Sequence, residues 1–126
     1  MKEARKPAAF AALALAVLAF GLIAMSPAGA ADYAPLNCAA ARSPTERAIC
    51  DSYALGQPEA RMATLYEWTT SLVAMGQRGD IEDAQRAFIK TREACGAKLD
   101  CIRNAYDARI AQLEAVMQRV KSNGPF

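Results

Sequence analysis

Apolar residues are distributed along this chain in two different ways. From Ala8 to Met25 they run almost without a break, whereas beyond Ser43 they return every three or four positions. The first pattern is that of a targeting segment and the second that of amphipathic helices. One stripe is formed by Met62, Leu65, Tyr66, Trp68, Thr69, Leu72 and Val73. A second carries Ile81, Ala84, Phe88 and Ile89, and a third Ile102, Ala105, Tyr106, Ile110, Leu113, Met117 and Val120. No stretch alternates with the period of two that a half-buried strand requires.

Residues between the stripes predict where each helix starts and stops. Ser43, Pro44, Thr45 and Glu46 combine an N-cap hydroxyl, a proline at the first helical position and a glutamate at the third, a capping box that opens a short helix reaching Asp51 or Ser52. Gly56 is expected to break the pattern and Pro58 to open a second helix, which Gly76 and Gly79 would close. Asp80 is placed to cap a third helix that carries an exposed Glu82–Arg86 pair and ends at Cys95 with Gly96 as its C-terminal glycine. Asp100 is placed to cap a fourth, which runs out at Ser122, Asn123, Gly124 and Pro125. Short links between amphipathic helices favour antiparallel neighbours. The expected fold is therefore all-α: a small antiparallel helical bundle of three longer helices plus one short N-terminal helix.

The uninterrupted apolar run changes the domain map. Lys2, Arg5 and Lys6 precede it, and Ser26, Pro27, Ala28, Gly29 and Ala30 follow it, so residues 1–30 have the layout of a cleavable secretory signal peptide cut after Ala30. A retained anchor is the alternative, since roughly 18 apolar residues can just span a bilayer. Much of the run is alanine, however, which contributes little to insertion, and Pro27 and Gly29 end it in extended chain. Cys38 lies behind Pro35, Leu36 and Asn37 rather than behind small residues, unlike a lipid-attachment site. Residues 31–42 then form an extended lead-in and residues 43–122 one helical domain. The expected location is periplasmic or secreted, with no membrane association after cleavage.

Charge removes other classes of function. The signal holds three of the 15 basic residues and one of the 13 acidic residues, which leaves twelve of each in the mature chain. A net charge of zero supports neither nucleic-acid binding nor adhesion to an acidic surface.

Four cysteines in so small an exported chain read as two disulfides. There is no histidine, and spacings of eleven and five intervening residues match no usual zinc pattern, so neither a metal site nor a cofactor is expected. Cys38 with Cys50 and Cys95 with Cys101 is the local pairing and the expected one. Joining Cys38 to Cys95 and Cys50 to Cys101 would also suit a bundle. Without histidine the usual general base is missing, and bonded sulfurs are not nucleophiles, so no catalytic residues are assigned and the chain is read as a non-enzyme. A redox enzyme would need a disulfide that cycles, and five intervening residues do not favour a low-pKa thiol.

From Cys38 to Leu113 the chain resembles the bacterial domain family named for the LprI lysozyme inhibitor, which is found in exported proteins. Three blocks carry the resemblance: Cys38, Thr45, Glu46, Ile49 and Cys50; then Gln85, Arg86, Phe88, Ile89, Arg92 and Cys95; then Cys101, Ile102, Tyr106, Arg109, Ile110 and Leu113. Phe88 stands where tryptophan is commoner. Between the first two blocks Glu59, Met62 and Tyr66 stand for aspartate, leucine and tyrosine, and Pro58 replaces a leucine. The resemblance implies a non-catalytic protein that binds a protein partner, a lysozyme or another glycan hydrolase. The other reading is an envelope structural or assembly factor that holds another exported protein.

Five residues are binding candidates: Arg92, Arg109, Gln85, Tyr106 and Trp68. In a binding role the two guanidinium groups would enter a hydrolase cleft and meet its carboxylates. In a packing role, the expected one, they pair inside the bundle with Glu46 or Glu59, while Gln85 and Tyr106 satisfy buried backbone groups. Trp68 is expected in the core or a groove, and exposure would mark it as an interface residue.

Overall fold

A computed structural model describes residues 36–123, so the expected signal peptide, the start of the lead-in and the C-terminal Gly124 and Pro125 lie outside the described residues. The four helices are α1 (Pro44–Cys50), α2 (Tyr53–Leu72), α3 (Met75–Ala94) and α4 (Leu99–Ser122), with no strand among the described residues. The all-α bundle of three long helices and one short one is therefore present, with both local disulfides. Cys38 is joined to Cys50 and Cys95 to Cys101, at Cα separations of 5.6 and 5.5 Å. They mark an oxidising, extracellular-type environment. Among the described residues no helix is long and apolar enough to cross a membrane.

α1 begins as its capping box dictates. The Ser43 hydroxyl accepts from the Glu46 N–H at 3.0 Å, and the Glu46 carboxylate accepts from the N–H groups of Ser43 and Arg42 at 3.1 and 2.7 Å. The Arg42 and Ser43 backbone donors stabilise the ionised form and hold the Glu46 carboxyl below its usual value. The lead-in is not extended throughout, because Cys38–Ala40 form a 3-10 turn. The chain has to fold back there for Cys38 to reach Cys50.

Four expected helix boundaries move. Neither does Gly56 break a helix nor does Pro58 start one: α2 begins at Tyr53 and contains both. Proline at position 58 supplies no N–H for the Ala54 carbonyl four residues earlier. Arg103 of α4 donates to that carbonyl instead, at 3.3 Å. Gly76 and Gly79 do not close α2, which ends at Leu72. They lie in the first turns of α3, which starts at Met75 without a side-chain cap and leaves Asp80 inside the helix. Extended backbone at Val73 and Ala74 makes the turn instead. α4 starts at Leu99, so Asp100 lies in its first turn, where a carboxylate favours the helix dipole, rather than at the cap. Gly96 has φ +58°, the left-handed conformation expected of a C-terminal glycine.

α4 packs most extensively against α2, while α3 lies against both and α1 closes one end over α2. The interior holds Ile49, Leu55, Met62, Val73, Ile81, Phe88, Ile102, Tyr106, Ile110, Leu113, Val116 and Val120. Most of these are the expected stripe positions. Three other stripe positions, Trp68, Leu72 and Ile89, stay outside the core at 58%, 42% and 42% exposed. Six residues of helix rotate Trp68 about 120° from Met62, so the two cannot face the same neighbour. On α4 Val116 is buried and Met117 only half-buried. Arg86 pairs with Asp83, three residues away, rather than with Glu82.

α1 is tied to the C-terminal end of α3 by one side chain. The fully buried Thr45 hydroxyl donates to the carbonyls of Gly96 at 2.9 Å and Glu93 at 3.3 Å. The Cys95–Cys101 bond closes its ring around the same helix end, so α1 docks on carbonyls that a helix terminus would otherwise leave open.

Candidate functional site

Helical spacing brings one polar residue from each long helix into a shared layer. Glu59 of α2, Arg92 of α3 and Tyr106 of α4 are all buried. The Tyr106 hydroxyl donates to Glu59 Oε2 at 2.5 Å and accepts from Arg92 Nη1 at 3.2 Å, while Arg92 Nη1 lies 3.5 Å from the same carboxylate oxygen. Arg92 Nη2 reaches Glu93 Oε1 at 3.1 Å. The Phe88 ring lies under the Arg92 guanidinium at 5.8 Å and tilts against Tyr106 with centroids 5.3 Å apart. A cation flanked by two carboxylates and an aromatic face recovers much of what burial costs it. Burial opposes the Arg92 charge, but the Tyr106 oxygen, Glu59 and Glu93 outweigh it and raise the pKa above its ordinary value. Burial, followed by Glu59, pushes the Tyr106 phenol far up, so it stays protonated.

One turn further along α4, Arg109 is 3% exposed and is treated differently. Its Nε donates to Gln85 Oε1 at 2.9 Å, Nη1 to Gln112 Oε1 at 3.1 Å and Nη2 to the Ile81 carbonyl at 2.9 Å. All three acceptors are neutral, and no carboxylate of the described residues lies within 4 Å of this guanidinium. Burial lowers its pKa, with Tyr66 opposing. Gln85 holds Arg109 with its oxygen and points its amide nitrogen at Met62 Sδ, 3.2 Å away.

Arg109 also forms part of the floor of a groove along the outer seam of α3 and α4. At one end the groove holds about 430 Å³ between Gln77, Asp80, Gln112 and Arg119. It continues past Ala84, Ala87, Ala105 and Ala108, small residues that keep the seam shallow, and ends beside Cys95 and Cys101.

The candidates read from the sequence therefore separate. Arg92 and Tyr106 form one layer, with Glu59 the partner of Arg92; Arg109 and Gln85 form a second, and Arg109 takes no glutamate. Gln85 and Tyr106 bond side chains rather than backbone groups, and it is Arg109 that satisfies a buried carbonyl. Trp68 stands apart on the surface of α2, where its exposure keeps it a candidate for an interface. Sequence reasoning missed the groove and its residues Asp80, Gln112 and Arg119. The available signal was a row of small residues that starts on each apolar stripe and leaves it: Ala84, Ala87 and Ala94 on α3, and Ala105, Ala108 and Ala115 on α4.

Fold and site together define a small, two-disulfide, all-helical domain with a layered polar interior and a seam groove floored by a buried cation. Comparison of this chain with protein-family models, with curated proteins and with solved structures finds no match.

Proposed function

We propose that this chain is an exported, non-catalytic binding protein of the lysozyme-inhibitor-like kind, acting in the periplasm or outside the cell by occluding a peptidoglycan hydrolase. The observation that carries the reading is the α3/α4 groove, where a buried guanidinium without a counter-charge of its own lies at an open surface. A protein that folds around an uncompensated cation has an unmet electrostatic demand that a partner's anion satisfies. The three sequence blocks add to it in a particular way. Gln85, Arg92, Tyr106 and Arg109 make the interior layers, so on this reading the resemblance reports a shared scaffold, of which Arg109 alone lines the groove and meets the partner together with exposed residues beside it.

The test is muramidase turnover with and without the purified, disulfide-bonded protein, over several lysozyme types. Inhibition at micromolar excess is expected of at least one. No inhibition of any, together with capture of a partner from envelope extracts that is not a hydrolase, would instead support the assembly-factor reading.

A further inference from the structure

We infer that the α3/α4 groove receives an acidic side chain carried on a segment of the partner protein, with Arg109 and Arg119 as the cations that select it. This rests on the binding-protein reading above and supplies the chemistry of its partner, which that reading leaves open.

The contrast between the two buried arginines is the starting point. Arg92 meets two carboxylates, whereas Arg109, equally buried, meets only Gln85, Gln112 and the Ile81 carbonyl. A guanidinium has five N–H donors. Three are spent on those neutral acceptors, which fix the plane of the group, and one remains on each terminal nitrogen. Neutral acceptors orient a cation without cancelling its charge, so the field of Arg109 persists in the groove that it lines.

The groove supplies the route. Gln112, which is exposed, is the side chain bonded to the groove side of Arg109, and Arg119 lines the same end about two turns beyond Gln112 along α4. Asp80 is the one acidic residue among the lining groups there, against two cations. A planar guanidinium with a second arginine nearby matches a carboxylate, whose two oxygens take parallel N–H bonds.

Length argues for a protein segment over a small acid. The three depressions share residues end to end: Ala84, Arg109 and Gln112 join the first to the second, and Thr91, Ala105 and Ala108 join the second to the third. From Arg119 to Cys101 the α4 axis rises roughly 27 Å, enough for about eight residues of extended chain. Alanine walls let a backbone approach closely along that length, while the two cations line its Arg119 end and its middle and leave the stretch beside Cys95 and Cys101 without a charged side chain. The fitting occupant is therefore a peptide segment anchored in the Arg109–Arg119 half by a glutamate or aspartate.

The experiment is a titration of the isotopically labelled, disulfide-bonded protein, followed by NMR, with a dodecapeptide of alternating alanine and glutamate. Its alanine–glutamine counterpart and acetate are the two controls, and no hydrolase is needed, so this test is independent of the muramidase result. Saturable shifts are expected at the Arg109 Nε–H and at the amides of Ala84 and Gln112. Affinity should fall at least tenfold on Arg119→Glu, rise about threefold on Asp80→Asn and be lost on Ala108→Trp, which fills the groove at an exposed position. Equal binding of the glutamine peptide, shifts lying elsewhere, absence of binding, or insensitivity to these surface variants would each overturn the inference. Acetate binding as tightly as the peptide would reduce the groove to a small-anion site and overturn the peptide occupant.

Discussion

Tyr106 sits between an anion and a cation in a layer closed to water, donating to Glu59 and accepting from Arg92. Removing its hydroxyl leaves the carboxylate one donor short, so Tyr106→Phe should lower stability by about 1–3 kcal/mol near neutral pH. The pH dependence has a definite sign. The folded phenol titrates above its ordinary value of 10.0, so its contribution is complete below pH 10.0 and declines above it, where the unfolded chain ionises and the folded one does not. Urea unfolding of the wild type and Tyr106→Phe at pH 8 and pH 11 should show the gap between them narrowing at the higher pH. A gap that widens would mean that the ionised phenol is the form the fold prefers. At this scale Arg92 was legible from the sequence together with a choice of partners, Glu46 or Glu59. Arg109 was not, because the absence of a counter-charge is a property of the space around a residue.

Among the elements, α1 was readable almost to the residue because a capping box is closed between neighbours three positions apart. α2 and α3 were misread where a local rule was overridden from a distance. Proline and glycine at positions 58 and 56 read as a helix start and a break, yet Arg103, far along the chain, serves the carbonyl that proline leaves open. Gly76 and Gly79 read as a stop, yet both are helical, and a Cβ at either would meet nothing within 4 Å. Helical glycines without steric justification weaken a helix relative to alanine. Gly76→Ala and Gly79→Ala should therefore each stabilise the protein by about 0.5–1 kcal/mol, read as a higher thermal midpoint. A lower midpoint for either would show that the start of α3 depends on glycine for a reason other than space. Asp80 reads as a cap on the same local logic, but the tight Val73–Ala74 connection puts the cap at Ala74 and brings the chain into helix six residues earlier.

For the whole molecule, a chain this short buries too little surface to be robust, so covalent closure carries a large share of its stability. Each short ring is worth about 2–3 kcal/mol on the chain-entropy account. The two are not equivalent in position, since the Cys95–Cys101 ring includes Gly96, whose carbonyl receives Thr45. Replacing both Cys95 and Cys101 with alanine should therefore cost more than that ring's closure alone and should also raise hydrogen exchange in α1. The corresponding Cys38 and Cys50 replacement should leave the α3 terminus protected. Chemical unfolding combined with amide exchange would show this, and unchanged α1 exchange in the Cys95/Cys101 variant would sever the proposed connection. What the sequence determined by itself was helical period, the capping box and the left-handed glycine, all closed within local spacing, together with a preference for the nearer pairing of four cysteines that the structure then decided. Only the tertiary structure decided which stripe residues turn outward, which arginine receives carboxylates and where the open groove lies. Periodicity sets angles about one helix axis, whereas burial, ion pairing and grooves depend on how far apart different axes are held.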